Sequence, residues 1–545
     1  MPRSPKVPVL FGGSTGPPFH RPRGTRLIWP DSAGLWLSDR IPSQQVGTAR
    51  AAGRCVAIVG LSAITTPEIV RLAEKGVSDN VAAAWPGSYC VIEATSHHTR
   101  IWTDVCGARP IYLRQHNGET LWASSSRLLA SLDNRPPDLQ LIARRLVLAE
   151  PHTPAGELLR THFAEVQQVP GGHRLTLWPD GWSELCRVWH PRPQDGDHAQ
   201  RLHAALDAAV ATRIDSAVTT SVDLSGGFDS TALALLAAER SSRFHPVTAV
   251  TVHPKGVHAG GDLDYAREAA THLAIRHEWL ALGTEHSPFQ VLPLPVTDEP
   301  PPSATTYAVF AAQLTHLAGL GCESHMTGDG GDSLLTTPVS IIRSLVRRGH
   351  WLRALQEVAL SARLRRTSWT TTWRAAGSSR PLDDILAGLM EVGRSSYADV
   401  QIAQTFGVEL HNPYTDAHVA DAYLSVPEED LPSPSLYKPV LAQAMSDLFP
   451  PRLRKRTTKG TWSIDHHRGL RLRLGSIRNL MDDGYLHGHG LIDIQWFHEA
   501  LRHAAIGMNE PMAQIERAVA TEMWFRALNA APTPEWIIDM SEVNT

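Results

Sequence analysis

The sequence lacks three features that would each indicate a class of protein: paired cysteines, an excess of charge and a long apolar run. Its five cysteines are scattered along 545 residues without a CxxC pair, which predicts reduced thiols in a cytoplasmic protein. The net charge of −4 gives no reason to expect a nucleic-acid partner. No run reaches the ~18 apolar residues of a membrane span, and no apolar core follows the N-terminus as in a signal peptide.

The apolar runs divide the chain into two predicted domains. Residues 1–190 contain short apolar runs separated by turn residues, such as 56–60 and 87–92, and predict a β-rich domain. A polar, proline-containing stretch over 191–197 predicts a linker. Residues 200–545 alternate helix-like and strand-like runs and become predominantly helical after 340. The predicted fold class is therefore α/β, with a parallel sheet flanked by helices in the second domain.

Two local patterns in the second domain carry specific expectations. Ser303 precedes a run in which Phe310 and Leu314 recur at helical spacing, so it is predicted to cap that helix. The arginine-rich stretch 343–366 predicts one amphipathic helix with its arginines outside. Such a face is either a solvated surface or a surface for a partner protein or an acidic leader segment.

Residues 225–230 read Ser-Gly-Gly-Phe-Asp-Ser and lie between a strand-like run ending at Leu224 and strong helix formers over 231–239. Two glycines at a strand-to-helix turn let backbone N–H groups approach an anion at the positive end of a helix. The loop differs from the GxxxxGK[ST] pattern because no lysine follows the second glycine, and it is not GxGxxG. We interpret it as a loop that binds pyrophosphate.

Residues 327–332 read Thr-Gly-Asp-Gly-Gly-Asp and follow another strand-like run. The turn places two carboxylates, Asp329 and Asp332, beside bare glycine backbone. Carboxylates that hold a metal and glycines that let phosphates come close suit a Mg²⁺–pyrophosphate site. The alternative is a solvated acidic turn.

Together the two motifs resemble those of the asparagine synthetase / β-lactam synthetase family, which activates a carboxylate as an acyl-adenylate and then forms an amide. The resemblance implies ATP and Mg²⁺ as cofactors, with Asp229 and Asp332 as metal ligands. Asp329 stands where the family carries a catalytic Glu or Tyr. The residues implied to bind ATP or pyrophosphate, partly through backbone around the adenine, are Leu224, Ser225, Gly226, Gly227, Asp229, Ser230, Val250 and Gly328.

Two downstream segments, 437–441 and 456–460, resemble the lysine-bearing segments of the same family. A lysine near the α-phosphate neutralises charge that develops as pyrophosphate leaves. The resemblance implies this catalytic role for Lys459, and a phosphate contact for Lys438. The alternative for the basic run 452–456 is a solvated or nucleic-acid-binding patch.

The first domain resembles the glutaminase domain of this family in its segments 86–89, 104–110 and 123–125. A glutaminase of this type uses an N-terminal cysteine, whose own amine serves as the base. This chain has Pro2, and its first cysteine is Cys55. We therefore expect an inactive glutaminase-like domain, an amine that belongs to the substrate, and cysteines that pack as small apolar residues.

The TGDGGD motif, the missing N-terminal cysteine and Asp298-Glu299-Pro300 most resemble a lasso peptide macrolactam synthetase. Such an enzyme adenylates an Asp or Glu side chain of a core peptide, and the peptide's N-terminal amine then closes an isopeptide ring. The resemblance implies a precursor peptide, a leader-peptide-binding protein and a leader protease as partners. Two alternatives remain open: a β-lactam or other small-molecule amide synthetase, and an inactive peptide-binding scaffold.

Overall fold

The computed structural model describes residues 10–15, 19–29, 34–39, 41–147, 158–365, 367–377, 379–457, 463–508 and 510–539. Strands dominate the N-terminal region, and a parallel sheet with many helices follows in the C-terminal region. The predicted fold class is confirmed. Among the described residues, no helix combines the length and the apolarity that crossing a bilayer requires.

The strands are β1 Phe11–Ser14, β2 Phe19–Pro22, β3 Thr25–Leu27, β4 Trp36–Ser38, β5 Val46–Ala51, β6 Arg54–Ser62, β7 Gly87–Ala94, β8 Thr99–Trp102, β9 Ile111–His116, β10 Glu119–Ala123, β11 Leu159–Arg160, β12 Gln167–Val169, β13 His173–Leu177, β14 Ser183–Arg187, β15 Thr220–Asp223, β16 Val247–Pro254, β17 Arg276–Leu282, β18 Ser324–Met326, β19 Glu409–His411 and β20 Trp536–Asp539.

The α-helices are α1 Thr66–Lys75, α2 Ser126–Ser131, α3 Leu139–Val147, α4 His198–Asp215, α5 Phe228–Arg240, α6 Asp262–Ala270, α7 Tyr307–Gly319, α8 Gly331–Leu335, α9 Ile341–Arg347, α10 Trp351–Arg365, α11 Trp369–Ala375, α12 Pro381–Thr405, α13 Ala417–Leu424, α14 Pro439–Ala444, α15 Pro451–Arg454, α16 Ser463–Asp482, α17 Tyr485–Gly488, α18 Ile494–Ala505 and α19 Met512–Ala530.

The N-terminal region is a sandwich of two antiparallel sheets. Their strand orders are β11-β12-β9-β10-β1-β4-β3 and β14-β13-β8-β7-β6-β5. Apolar side chains from both sheets share one core, which includes Trp122 from the first sheet and Cys55 and Cys90 from the second. Cys106 is buried in the core of the C-terminal region. The expectation that these cysteines pack as small apolar residues is confirmed.

The C-terminal region contains a five-stranded parallel sheet with the order β17-β16-β15-β18-β19. Helix α5 is buried along most of its length because alanine and leucine cover nearly its whole surface. The chain runs outward from β15 through β16 to β17 and then returns to the other side of β15 at β18. In open parallel sheets, ligands bind outside the carboxyl ends of the strands at such a reversal.

Two local expectations are wrong. Ser303 does not cap α7, because a 3₁₀ turn over Ala304–Thr306 lies between them and the Ser303 hydroxyl donates to Asp399 instead of capping a helix N–H. The stretch 343–366 contributes to two helices, α9 and α10, which are separated at Gly349, where φ is +83°. A glycine in the left-handed region between two helices ends the first helix. The apolar spacing in the sequence continues past this glycine, so the pattern alone predicted one helix.

A buried ion pair within the C-terminal region also accepts a hydrogen bond from the N-terminal region. Arg213 on α4 donates to Asp416 at 2.8 Å through Nη1, and both side chains are fully buried. The same carboxylate accepts the backbone N–H of Gly87, at the start of β7, at 3.0 Å. Removing one partner of such a pair leaves a buried charge without compensation, which is far costlier than losing an exposed pair.

We therefore predict that Asp416→Ala lowers the free energy of unfolding by about 3–5 kcal/mol, because Arg213 would keep its charge inside the protein. The matched control is Asp207→Ala, whose pair with Arg240 is partly exposed and contributes less than about 1 kcal/mol. Urea unfolding followed by circular dichroism measures both. Equal midpoints for the two variants would contradict the assignment of Arg213 and Asp416 as a buried ion pair.

Candidate active site

The two glycine-rich motifs lie side by side at one edge of the parallel sheet. SGGFDS follows β15, TGDGGD follows β18, and the two strands are paired neighbours. Helix α5 begins at Phe228 inside the first motif, so its N-terminal N–H groups face the same edge. The sequence motifs therefore meet where an anionic ligand would be stabilised by the helix dipole.

Glycine is required where the two motifs touch. A Cβ on Gly331 would lie 2.5 Å from Cγ of Asp229, and a Cβ on Gly328 would lie 2.9 Å from the backbone nitrogen of Ser230. Gly226 has φ +85°, and a Cβ there would collide with the carbonyl of Asp262. Because these glycines have no side chain, the two motifs approach closely enough to bring Asp229 and Asp332 together.

Lys438 shows how closely those acids converge. Its ammonium contacts Oδ2 of Asp229 and lies 2.6 Å from Oδ1 of Asp332. The lysine is almost fully buried and precedes α14 with a left-handed backbone (φ 45°, ψ 53°). A single cation thus bridges both predicted metal ligands. Two convergent carboxylates fit Mg²⁺, which in nucleotide sites is held by one or two carboxylates plus substrate phosphates.

Arg456 is a site residue that sequence reasoning missed. It is nearly buried, and its guanidinium donates to the carbonyl of Gly226 at 2.9 Å and pairs with Asp262. It also lies over the ring of Tyr265, 4.5 Å from the centroid. The alternative of a solvated basic patch is wrong for this residue. Its proximity to the loop depends on the fold, so the run of basic residues alone did not reveal it.

Aromatic side chains pack against the first motif and hydrogen-bond to its backbone. The hydroxyl of Tyr414 donates to the carbonyl of Asp229 at 3.1 Å, and the rings of Phe228 and Tyr437 lie 4.7 Å apart. Burial raises the pKa of Tyr437, and the charge of Asp229 adds to the shift, so this hydroxyl stays neutral. These contacts fix the backbone on either side of Asp229.

The serines of the first motif form hydrogen bonds within the loop. The hydroxyls of Ser225 and Ser230 lie 2.7 Å apart, and the Ser225 N–H donates to Oγ of Ser230 at 3.1 Å. The N–H of Gly227 donates to Oγ of Ser225 at 3.3 Å. The loop is therefore ordered by its own hydroxyls, which favours a preformed anion site over an induced one.

The residues predicted to surround adenine lie at the same edge of the sheet. The N–H of Leu224 donates to the carbonyl of Val250 at 2.8 Å, and the Leu224 carbonyl accepts from Thr251 at 2.6 Å. Both predicted side chains are buried. These backbone groups are thus used within the sheet, and Gly328 provides the more open backbone. Lys459 lies outside the described residues.

Asp329 occupies the exposed rim of the second motif. Its N–H donates to Oγ1 of Thr327 at 3.2 Å, and that hydroxyl donates to Asn412 at 2.8 Å. Burial raises the pKa of the neighbouring Asp399 to about 7; a hydrogen bond from Ser303 opposes the shift and the charge of Asp329 adds to it. The charge of the exposed Asp329 therefore acts on the buried carboxyl group of Asp399.

A cavity of about 1090 Å³ lies between the N-terminal region and α12. Its lining includes Cys106, Pro301, Gly388 and Arg394, which come from both regions. A Cβ on Gly388 would contact Ser333, the residue after the last aspartate of the second motif. None of residues 327–332 lines the cavity, so its wall approaches the acidic motif only through Gly388 and Ser333.

Glu299 from the sequence motif Asp298-Glu299-Pro300 lies on the wall of this cavity. Its carboxylate contacts Arg394 and lies 3.3 Å from Arg145 of the N-terminal region. Asp298 accepts the hydroxyl of Ser125, also from the N-terminal region, at 2.6 Å. The motif thus acts as a tie between the regions, a role its sequence did not indicate.

Comparison with known proteins gives a family match over the C-terminal region and a partial match to a characterised relative. The family model described as asparagine synthase matches residues 201–526. The carboxyethyl-arginine beta-lactam-synthase of Streptomyces clavuligerus is 26% identical over 204 residues, and the match spans 36% of this chain and 36% of that relative.

Two solved structures were also matched over about half of this chain. One is the allosteric regulatory enzyme of purine biosynthesis, with a TM-score of 0.22, 12% identity and coverage of 53% of this chain and 76% of that one. The other is the glutamine phosphoribosylpyrophosphate amidotransferase of B. subtilis, with a TM-score of 0.20, 10% identity and coverage of 48% and 69%. Similarity at these TM-scores bears on neither fold nor function.

The family match covers more than half of the chain and contains both glycine-rich motifs, the bridging Lys438 and the helices that enclose them. The chain belongs to the asparagine synthase family.

Proposed function

We propose that this protein is a peptide macrolactam synthetase of the lasso peptide type. With ATP and Mg²⁺ it adenylates an Asp or Glu side chain of a core peptide and releases pyrophosphate. The peptide's own N-terminal amine then displaces AMP and closes an isopeptide ring. The observation that carries the proposal is the cavity of about 1090 Å³, whose wall at Gly388 neighbours Ser333, the residue after the acidic motif.

The size of that cavity supports a peptide over a small metabolite. Sites for small molecules have volumes of roughly 300–1,000 Å³, so this cavity lies at the upper limit. Its lining mixes prolines and apolar residues such as Leu386 and Met390 with charged groups such as Arg394 and Glu391. A lining of this kind suits a folded peptide with both apolar and charged side chains.

The activation step assigns roles to residues of the two motifs. Asp229 and Asp332 would hold Mg²⁺, which supplies charge neutralisation for the departing pyrophosphate. Helix α5 and the SGGFDS backbone would bind the pyrophosphate. Arg456 would hold the loop in place through its hydrogen bond to the Gly226 carbonyl. Lys438 brings a positive charge against both acids, and Lys459 is proposed to act at the α-phosphate.

The amide-forming step needs an amine from the substrate. Asp329 lies on the exposed rim of the motif and is proposed to accept a proton from the attacking nitrogen. We propose that the N-terminal region provides a wall of the cavity and no glutaminase activity. The precursor peptide, a leader-binding protein and a leader protease are the proposed partners, in the cytoplasm.

A small-molecule amide or β-lactam synthetase is the second candidate, and the match to the Streptomyces clavuligerus beta-lactam-synthase favours it. The match spans only about a third of that relative. An inactive scaffold is the third candidate. The convergence of Asp229, Asp332 and Lys438 argues against it, because a scaffold has no need to hold two carboxylates and a cation together.

We predict that ATP–pyrophosphate exchange depends on a peptide that carries a free N-terminal amine and an internal Asp or Glu. The assay compares synthetic peptides with the acid at successive positions against free dicarboxylic amino acids, because only the peptides fill the cavity. Peptides in which every acid is replaced by its amide are the control. Exchange with the small acids alone would favour the second candidate, and ADP formation would contradict adenylation, since γ-phosphoryl transfer uses other loops.

We predict that Asp229→Asn and Asp332→Asn each slow pyrophosphate exchange by ~10²-fold or more, because a charge that stabilises the leaving group is lost. The fold should remain, since an amide replaces each carboxylate at the same volume and the other carboxylate still pairs with Lys438. Asp207→Asn, far from the motifs on α4, is the matched control. Wild-type exchange rates in both site variants would contradict the metal assignment.

We predict that Asp329→Asn forms the acyl-adenylate but closes the ring slowly. The amine has an unperturbed pKa of ~7.7–8.0 and needs a base placed within hydrogen-bond reach of the nitrogen. Hydroxylamine added to the assay traps the intermediate as hydroxamate, which should accumulate in place of cyclic peptide. If the variant instead loses exchange as completely as Asp332→Asn, Asp329 belongs to the nucleotide site.

A further inference from the structure

A polar network lies on the central strands of the parallel sheet, next to both motifs. Asp223 is the last residue of β15, and its Oδ1 accepts the side-chain N–H of Gln313, on α7, at 2.7 Å. Nε2 of His325, on β18, lies 3.2 Å from the same oxygen and 3.2 Å from Nε2 of Gln313. Nδ1 of His325 lies 2.9 Å from the hydroxyl of Ser221. Gln313 and His325 therefore fix the position of Oδ1 of Asp223.

A charged side chain is out of place in such a strand. Central strands of parallel sheets are covered on both faces and are ordinarily apolar throughout. Val222 and Leu224 follow this rule and are buried in the core on one face of the sheet. Asp223, between them, points to the opposite face, where α7 supplies Gln313. A carboxylate kept at this position, with three polar residues arranged around it, calls for a functional reason.

The carboxylate opens toward the edge of the sheet where ligands bind. Its strand is paired with β16 on one side and β18 on the other, and α7 contacts it from its own face. The side chain is nevertheless 28% exposed. Solvent therefore reaches it from the carboxyl end of β15, which is the end that takes ligands in open parallel sheets. Within the described part of the chain, the contacts of this carboxylate are made by Oδ1, so Oδ2 is available to a ligand.

The neighbours of Asp223 indicate which part of a ligand it meets. Asp223 and Val250 are register partners in β15 and β16, so their side chains point to the same face of the sheet. On the other side, Gly328 follows the last residue of β18 by two positions. Val250 and Gly328 are two of the residues predicted to surround adenine. Asp223 therefore lies between them, at the predicted position of the base.

We propose that Asp223 selects the base of the nucleotide: its Oδ2 accepts a hydrogen bond from the exocyclic amine of adenine, while Gln313 and His325 hold Oδ1. This inference rests on the proposed function, which places ATP at the two motifs. An ionised carboxylate only accepts hydrogen bonds, so it pairs with the amine of adenine. Hypoxanthine and guanine carry a carbonyl oxygen at the same ring position, which is an acceptor and would face the negative charge of Asp223.

The first test is a binding measurement on the full wild-type chain, by calorimetry with Mg²⁺ and without peptide. We expect ITP to bind ~10²-fold more weakly than ATP, because its carbonyl replaces the amine. Purine riboside triphosphate, which has neither group, should bind ~10-fold more weakly, the loss of one hydrogen bond to a charged group. Equal affinity for the three nucleotides would overturn the inference, and this result needs no variant to fold.

The second test exchanges the acceptor for a donor. Asp223→Asn places an amide N–H where Oδ2 lies, and that group can donate to the carbonyl of ITP. The variant should lower the ratio of ATP to ITP affinity by ~10²-fold, and the ratio of the two KM values in peptide-dependent pyrophosphate exchange should change in the same direction. Asp207→Asn, on α4, is the matched control and should keep the wild-type ratio. A merely structural role for Asp223 would weaken both nucleotides equally and leave the ratio unchanged.

Gln313→Leu removes the amide that orients Asp223 and keeps the carboxylate. It should weaken ATP binding and still prefer ATP over ITP, because the charge that rejects the carbonyl remains. A ribose hydroxyl is the other donor of ATP, and 2′-deoxy-ATP tests it. Discrimination against 2′-deoxy-ATP that disappears in Asp223→Asn, with the ITP ratio unchanged, would overturn the choice of the base.

The inference and the proposed function can fail separately. If the wild type shows the expected nucleotide preference but cyclises no peptide, the proposed function fails and the role of Asp223 stands. If it cyclises a peptide with ATP and ITP equally well, the role of Asp223 fails and the proposed function stands. If it binds no ATP, both fail.

Discussion

The contact of one ammonium with two carboxylates organises this molecule. Lys438 reaches the acids of both motifs, and it does so only because β15 and β18 are paired and glycines let the two turns touch. The ammonium of Lys438 is buried, and a buried charge is costly unless it is paired and held in place. Three features hold these charged groups in place: the hydrogen bond from Tyr414 to the Asp229 carbonyl, the hydrogen bond from Arg456 to the loop, and the left-handed backbone at Lys438.

The N-terminal region is as much a part of the proposed site as the sheet. Asp298 and Glu299 tie it to the C-terminal region through Ser125 and Arg145, and Asp416 adds a second tie at β7. Its loops form one wall of the cavity. Removing this region would leave the buried acids Asp298, Glu299 and Asp416 with fewer hydrogen-bond and ionic partners.

Much of this could be predicted from the sequence, because SGGFDS and TGDGGD are local patterns whose chemistry follows from their own residues. The parallel sheet followed from the alternation of strand-like and helix-like runs. Strand β19 was missed because only three residues, Glu409–His411, form it and two of them are polar. Arg456 was missed for a different reason: its role comes from contacts with residues far away in the chain, which no local pattern encodes.

The central claim is that a peptide carboxylate attacks the α-phosphate of ATP at this site. The most direct measurement places a heavy-oxygen label on the side-chain carboxylate of a cyclising peptide and follows it by mass spectrometry. Formation of an acyl-adenylate and its displacement by the amine transfers one carboxylate oxygen to the nucleotide, so the account predicts labelled AMP and unlabelled pyrophosphate. Label in inorganic phosphate, or ring closure with no label in AMP, would contradict it.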